Sequence, residues 1–248
     1  MNLLFSFSEF LYKRNFSLYY RLYSFYKTRQ DKSELNLFKK IIKPGTVVID
    51  IGANVGFYSN YFSKLTGSSG VIHCFEPDAL NYKYLEKTTS SLNNIHLNNK
   101  AVTEDDKSLT LYTSHRLNVD HRTYPVNEYA KSYEVKATSI DNYVNGKYKV
   151  DFIKMDIQGA EYPALIGMQK TLQSNPEILL LMEIAPSALK EFGTTPKAIF
   201  DFVHSIGFHL YDFDLRELME KDTAKYDAYK MDEFENVIIA KQIPSFLQ

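Results

Sequence analysis

Val47–Gly56 reads V-V-I-D-I-G-A-N-V-G, and the fold follows from how these residues are read. Val47 to Ile51 is apolar apart from Asp50, which suits a strand buried on both faces of a parallel sheet. The chain then meets Gly52, passes Ala53 and Asn54, and reaches Gly56, where a helical pattern opens at Phe57. Glycine lets a backbone turn sharply and approach a ligand closely, because no Cβ intervenes. The helix beyond such a turn offers unpaired N–H groups to a polar or anionic group. The next strand-like run, Val71 to Phe75, ends in Glu76-Pro77, which places an acid 24 positions after Gly52. That spacing fits a carboxylate accepting hydrogen bonds from both ribose hydroxyls of a nucleotide-like cofactor.

The dinucleotide fingerprint G-x-G-x-x-G is absent, since Asn54 stands two residues after Gly52, and this argues against a nicotinamide oxidoreductase. Asp50 either accepts a hydrogen bond from a ligand ammonium or braces the turn. A cofactor with an amino-acid end and a ribose end uses both acids, and S-adenosylmethionine (SAM) is that molecule. The competing reading is a glycine turn needed for packing alone; Asp50 ahead of it and Glu76-Pro77 behind it weigh against that.

Outward from this stretch, Ser33 is the expected N-cap of a helix to Lys40, and Asp78 of a helix to about Leu92. A strand near Ile95–Leu97 completes a β-α-β-α-β order, which implies right-handed crossovers and a parallel sheet. Between Thr103 and Thr138 the pattern changes to alternation at Leu109, Leu111 and Thr113, and again around Val135 and Ala137. This predicts an inserted β-hairpin whose polar loop, Ser114 to Ser132, carries Asn118, Asp120, His121, Arg122 and Tyr124. A loop of that length in a compact domain is functional or mobile. Asp151–Met155 forms the fourth strand and ends at Asp156; a helix is expected from Ala160 to Leu172. Ile178–Met182 ends at Glu183, and Phe208–Phe213 and Val237–Ala240 read as closing antiparallel strands. The fold class is α/β, a doubly wound Rossmann-like sheet, mainly parallel, with antiparallel last strands. Asp50, Glu76, Asp156 and Glu183 all stand at carboxyl ends of strands, where open α/β sheets bind ligands.

Four ordered segments, V-I-D-I-G-A-N-V-G-F-Y-S, C-F-E-P-D, F-I-K-M-D-I-Q-G-A-E and L-L-M-E-I, resemble the FkbM family of SAM-dependent methyltransferases, over about Glu34 to Ala240. The resemblance implies a class I SAM methyltransferase fold. It also implies that Gly52, Ala53, Asn54 and Gly56 line the methionine part of the cofactor and that Glu76 holds the ribose. Pro77 and Ala101 would lie beside the adenine, and Asp156 would face the methionine end. It further implies methylation of a hydroxyl oxygen on a sugar, glycan or secondary-metabolite acceptor. One departure is Gln158, where the family often has Glu within D-x-E-G-x-E, so Gln158 is assigned no catalytic role. The candidates for proton removal are His121, a histidine whose ordinary pKa lies near 6.5, and Asp156. Asp120, Arg122 and Glu183 are the acceptor-binding candidates, Arg122 as an anchor for a carboxylate, phosphate or sugar. A divalent ion shared by Asp156 and Glu183 has little support, because His73, His96, His115 and His121 show no ligand spacing, so no metal is expected. The alternative in another class is a SAM-binding fold without catalysis that serves as a partner-binding or membrane-surface module.

The 248 residues are 44% hydrophobic with net charge −1, which suits one α/β domain with an appendage and gives no general reason for nucleic-acid binding. Cys74 is the lone cysteine, so a disulfide framework is excluded and a reducing compartment fits. Neither an apolar run of 18 residues nor a signal-peptide pattern is present, and the cytoplasm is the expected location. Residues 1–33 read as an aromatic, basic helical extension ahead of a methyltransferase domain at 34–248. Its first 30 residues hold Lys13, Arg14, Arg21, Lys27 and Arg29 against one acid, Glu9. Leu3, Phe7, Phe10, Leu18, Leu22 and Phe25 fall near helical spacing, with a break expected around Asn15–Ser17. Such a segment caps the sheet or cleft, contacts a membrane surface, or supports a homodimer.

Overall fold

The computed structural model describes residues 3–114, 121–125, 129–230 and 233–247, so Asn118 and Asp120 of the inserted loop lie outside the described residues. The chain opens with α1 (Leu3–Arg14), α2 (Phe16–Gln30) and α3 (Lys32–Ile41). Then follow β1 (Val47–Ile51), α4 (Phe57–Thr66), β2 (Val71–Phe75), α5 (Ala79–Thr89) and β3 (Ile95–Asn98). The insertion comprises β4 (Ala101–Val102), β5 (Leu109–Thr113), β6 (Lys131–Val135) and β7 (Ala137–Thr138). Next come α6 (Ile140–Val144), β8 (Phe152–Met155), α7 (Glu161–Ile166), α8 (Gln169–Ser174) and β9 (Leu179–Ile184). The chain closes with α9 (Pro186–Phe192), α10 (Pro196–Ser205), β10 (His209–Tyr211), β11 (Glu217–Leu218) and β12 (Glu235–Ala240).

The main sheet has the order β11-β10-β12-β9-β8-β1-β2-β3. Pairs from β3 through β9 are parallel, and β12, β10 and β11 add antiparallel strands at the other edge. The chain runs outward from β1 to β3 and then returns to place β8 on the opposite side of β1. Strand order therefore reverses between β1 and β8, and the crevice above that point is where such sheets bind ligands. Both faces of the sheet are covered. Ile49, Ile51, Ile153 and Leu180 pack against α7, α8 and α10, while Val48, Ile72, Phe152 and Leu181 pack with Phe38 of α3 and Phe62 of α4. Each such fully buried side chain contributes roughly 1.5–3 kcal/mol relative to exposure. Cys74 is fully buried in the second of these clusters.

The inserted hairpin is present as β5–β6, in register from Leu109↔Val135 to Thr113↔Lys131. Three local expectations change. Asp31, not Ser33, precedes α3, and its side chain instead accepts from the Tyr58 hydroxyl and pairs with Lys27, so the cap position serves a tertiary contact. The helix after β2 stops at Thr89, short of Leu92. The helix expected over Ala160–Leu172 is broken into α7 and α8 at Gly167. There Asp141 of α6 donates its N–H to Gly167 O and caps α8 by accepting from the backbone N–H groups of Lys170 and Thr171. A Cβ at Gly167 would stand 2.1 Å from Thr103 O, so the break is where two backbones meet.

Gly52 carries a similar constraint: its φ is +79° and a Cβ there would lie 2.1 Å from Asp156 O. The obstacle is the backbone at the end of β8, not cofactor space. Gly52→Ala therefore combines a left-handed backbone cost of roughly 1–2 kcal/mol with a steric clash. Gly193→Ala is the control, since it too is left-handed, φ +94° and ψ 22°, with nothing within 4 Å. Urea denaturation is expected to show a clearly larger loss for Gly52→Ala; equal losses would mean that the β1 turn yields without strain.

Candidate functional site

The turn after β1 is pinned to β2, because Gly52 N and Ala53 N both donate to Phe75 O, at 3.0 and 2.9 Å. Asn54 follows with a left-handed φ of 49°, and its N–H donates to Glu76 Oε2 at 2.8 Å. Glu76 Oε1 accepts from Asp78 N at 2.9 Å. The Glu76 carboxyl is thus held by two backbone donors at the end of β2, with the Asn81 side chain as a further hydrogen-bond partner. It is only 5% exposed, and burial, with Asp78 nearby, pushes its pKa up to about 8. A buried carboxyl without a cationic partner is suited to neutral hydroxyl donors.

A cleft of about 600 Å³ opens here, within the usual size of small-molecule sites. Gly52, Ala53, Asn54, Glu76, Pro77, Ala101, Asp156 and Glu183 line it, as do His121 and Arg122. Two sequence candidates do not. Asp50 is fully buried and accepts from Ser59 Oγ at 2.6 Å, so of its two readings the structure supports bracing the turn and not meeting a ligand. The reason is strand parity: Ile49 and Ile51 point to one face of the sheet and Asp50 to the other, under α4. Gly56 is the left-handed residue before α4, φ 85°, and a Cβ there would lie 2.8 Å from Leu85 Cδ1 and Thr88 Oγ1. Its place is fixed by helix packing.

The floor of the cleft centres on a residue that the sequence reading passed over. Lys154, in β8, is buried and points its Nζ at Asp156 Oδ2, 3.3 Å away, and toward the Tyr58 ring, 4.9 Å from its centroid. Burial pulls this ammonium's pKa down, but Asp156 and Asp50 more than offset that and hold it above its ordinary value. Asp156 shows the converse: burial raises it, yet Lys154 and the Gln158 amide hold it below the ordinary carboxylate value. Glu183 is pushed up to about 9 by burial and by the charges of Asp156 and Glu161, so it is a neutral acid near pH 7. Gln158 Nε2 donates to both carboxyls, at 3.0 Å to Asp156 and 3.3 Å to Glu183. A lysine within an apolar strand, two residues before Asp156 and on the same side of it, was the available signal for this cluster.

Arg122 does not stand apart as an anchor. Its NH1 donates to Gln158 O and Oε1, at 3.0 and 2.9 Å, and so fastens the inserted loop onto the second turn. Gln158 itself holds a left-handed φ of 56°, a strained state typical of sites that surrounding contacts enforce. His121 turns the other way: its Nε2 lies 3.8 Å from Asp78 Oδ2, and Ser114 N donates to its Nδ1 at 3.3 Å. Tyr133 of β6 also donates to Asp78 Oδ2, at 2.6 Å, so hairpin and loop are both held at the Glu76 end. Further walls come from α2, through Tyr23, Tyr26, Lys27 and Gln30, and from Ala185, Ala188 and Phe234.

The Methyltransferase FkbM domain model matches residues 50–210. The chain belongs to the FkbM methyltransferase family. It is similar to 2-O-methyltransferase NoeI of Sinorhizobium fredii strain NGR234, at 26% identity over 198 residues, 71% of this chain and 80% of that one. Among solved structures, an rRNA methylase from Streptococcus thermophilus superposes with a TM-score of 0.50 at 11% identity, covering 85% of this chain and 95% of that one. A methyltransferase FkbM from Methylobacillus flagellatus KT gives 0.48 at 14% identity; 83% of this chain matches, and the match spans 50% of that longer chain. The protein is a methyltransferase and its cofactor is SAM. The donor set fits that cofactor: Glu76 offers acceptors for a pair of hydroxyls, Pro77, Ala101 and Val102 offer an apolar slot, and the Asp156–Gln158 end is polar.

Glu76 makes the fit testable through pH. Its folded-state pKa of about 8 lies above its ordinary 4.5, so without ligand its stabilisation is complete below 4.5 and is lost as pH rises through 8. Two ribose hydroxyls are accepted better by the ionised carboxylate than by the acid, so SAM affinity is expected to rise with pH up to about 8, with proton release on binding. Calorimetric titration in buffers of different ionisation enthalpy reads that proton directly. Glu76→Gln should abolish the release; a release that persists assigns it to another group.

Proposed function

We propose that the chain methylates a hydroxyl oxygen on a sugar or glycan acceptor. The observation that carries this reading is the pairing, on one cleft floor, of an ionised Asp156 with a protonated Glu183, bridged by the Gln158 amide. Two neighbouring hydroxyls match that pair: one donates to Asp156 and the other accepts from the Glu183 O–H. A relative named as a 2-O-methyltransferase supports oxygen as the methylated atom. A second cavity of about 140 Å³ shares Gln30, Tyr58, Lys154, Asp156 and Glu183 with the cleft and adds Glu34 and Asn236. Its mix of polar side chains with an aromatic face suits a sugar ring.

SAM, when bound, supplies a methyl group on a sulfonium centre. The chain's part is to orient the acceptor oxygen and receive its proton, and orientation accounts for much of the rate. Asp156 is assigned as the proton acceptor. It is 37% exposed at the floor, and Lys154 and Gln158 keep it ionised. His121 is directed to Asp78 at the opposite end and is assigned to closure of the loop.

Asp156→Asn is expected to cut kcat by about 10²–10⁴-fold at saturating SAM, while His121→Ala leaves kcat near native. The reverse result would return the base to His121. Labelled methyl transfer to glycans and to amine acceptors, with the product position read by NMR, checks the acceptor atom. Label on nitrogen would refute the reading.

A further inference from the structure

The apolar residues that mark the N-terminal segment in sequence do not face the domain. Leu11, Tyr12, Phe16 and Tyr19 are buried, together with Val55 of the cofactor turn, and Phe16 stacks on Tyr84 of α5 with ring centroids 3.6 Å apart. The residues spaced as a helical stripe, Phe7, Phe10, Leu18, Leu22 and Phe25, are the exposed ones. On α2, Leu18, Leu22, Phe25 and Arg29 recur at intervals of four, three and four, one face of a helix, opposite Phe16 and Tyr23. Phe25 is 61% exposed and Leu22 49%. Arg29 lies over the Phe25 ring at 3.5 Å, an arginine laid along apolar surface with Arg21 exposed nearby. Exposed apolar rows of this kind mark interaction surfaces.

We propose that this face of α2, with Phe7 and Phe10 of α1, docks on an anionic lipid bilayer. Charge selects the occupant. Of the five basic side chains in residues 1–30, Lys13 pairs with Glu9 and Lys27 with Asp31 on the cleft side, which leaves Arg14, Arg21 and Arg29 exposed in a chain whose net charge is −1. A second copy meeting this face across a two-fold axis would set like charge against like. Anionic headgroups complement it, with aromatic and leucine side chains entering the interface and arginines at headgroup level. No described helix is long and apolar enough to cross a membrane, so the contact is peripheral. The inner side of the same helix lines the cleft through Tyr23, Lys27 and Gln30. Docking therefore brings the cleft mouth within about one helix diameter, 10 Å, of the bilayer surface. The inference stands on α1 and α2 and is independent of which atom is methylated.

The test is flotation of the full-length protein with phosphatidylcholine vesicles, with and without phosphatidylglycerol. The expected result is binding to the anionic vesicles only, weakened by salt, and lowered about fivefold for each basic residue removed in Arg21→Gln and Arg29→Gln. Leu22→Glu/Phe25→Glu should abolish flotation while leaving SAM affinity and the thermal transition unchanged, since both side chains are exposed. Absence of flotation with anionic vesicles, or equal binding to neutral ones, overturns the proposal. A dimer in sedimentation equilibrium that the same double variant dissociates would also overturn it, assigning the face to a second copy.

Discussion

One backbone contact controls how closely the central strands converge at their carboxyl ends. Gly52 lies against the Asp156 carbonyl at the end of β8, while its N–H and that of Ala53 are donated to the Phe75 carbonyl at the end of β2. A side chain at Gly52 would separate β1 from β8. With it in place, Glu76 and Asp156 come to stand on either side of one turn, and the cleft has its two chemically different ends. Asn54 and Gln158, on the turns after β1 and β8, both hold left-handed states.

The two ends differ because the protein treats their acids differently. Glu76 has backbone N–H groups but no cation, so burial dominates and its carboxyl stays poised near neutrality. Asp156 has Lys154, which is itself kept charged by acids on two strands, and therefore remains ionised. Burial, reinforced by the repulsion of Asp156 and Glu161, keeps Glu183 protonated. Two neighbouring acids thus differ in charge, Asp156 ionised beside Lys154 and Glu183 protonated by burial, the kind of pKa separation that active sites exploit.

The insertion and the N-terminal helices close this arrangement from opposite sides. Arg122 grips the second turn through Gln158, and Tyr133 and His121 converge on Asp78, which also caps α5. On the other side the Tyr12 hydroxyl donates to Asn81 and the Tyr84 hydroxyl to Tyr12 O, which fastens α1 to α5. Gln158 is therefore structurally engaged: its amide donates to two acids and accepts from Arg122, which a third carboxylate could not do without burying more negative charge.

Much of the protein was legible along the chain. The strand–glycine turn–helix of Val47–Phe57, the acid after β2, the order of parallel strands and the inserted hairpin all follow from patterns set by neighbouring residues. Backbone preference, side-chain period and turn chemistry act over a few positions, so a linear reading reaches them. Other features depend on partners far away in sequence. The face that Asp50 occupies, the break at Gly167 beneath Asp141 and Thr103, the role of Lys154 between acids of different strands, and the outward turn of Leu18, Leu22 and Phe25 were decided by closure of the sheet and by docking of the helices on it. Periodicity shows that a helix has an apolar stripe; only its packed neighbours determine which stripe is buried. Here the aromatic face of Phe16 and Tyr19 won that place, because Val55 and Tyr84 offered it a matching surface.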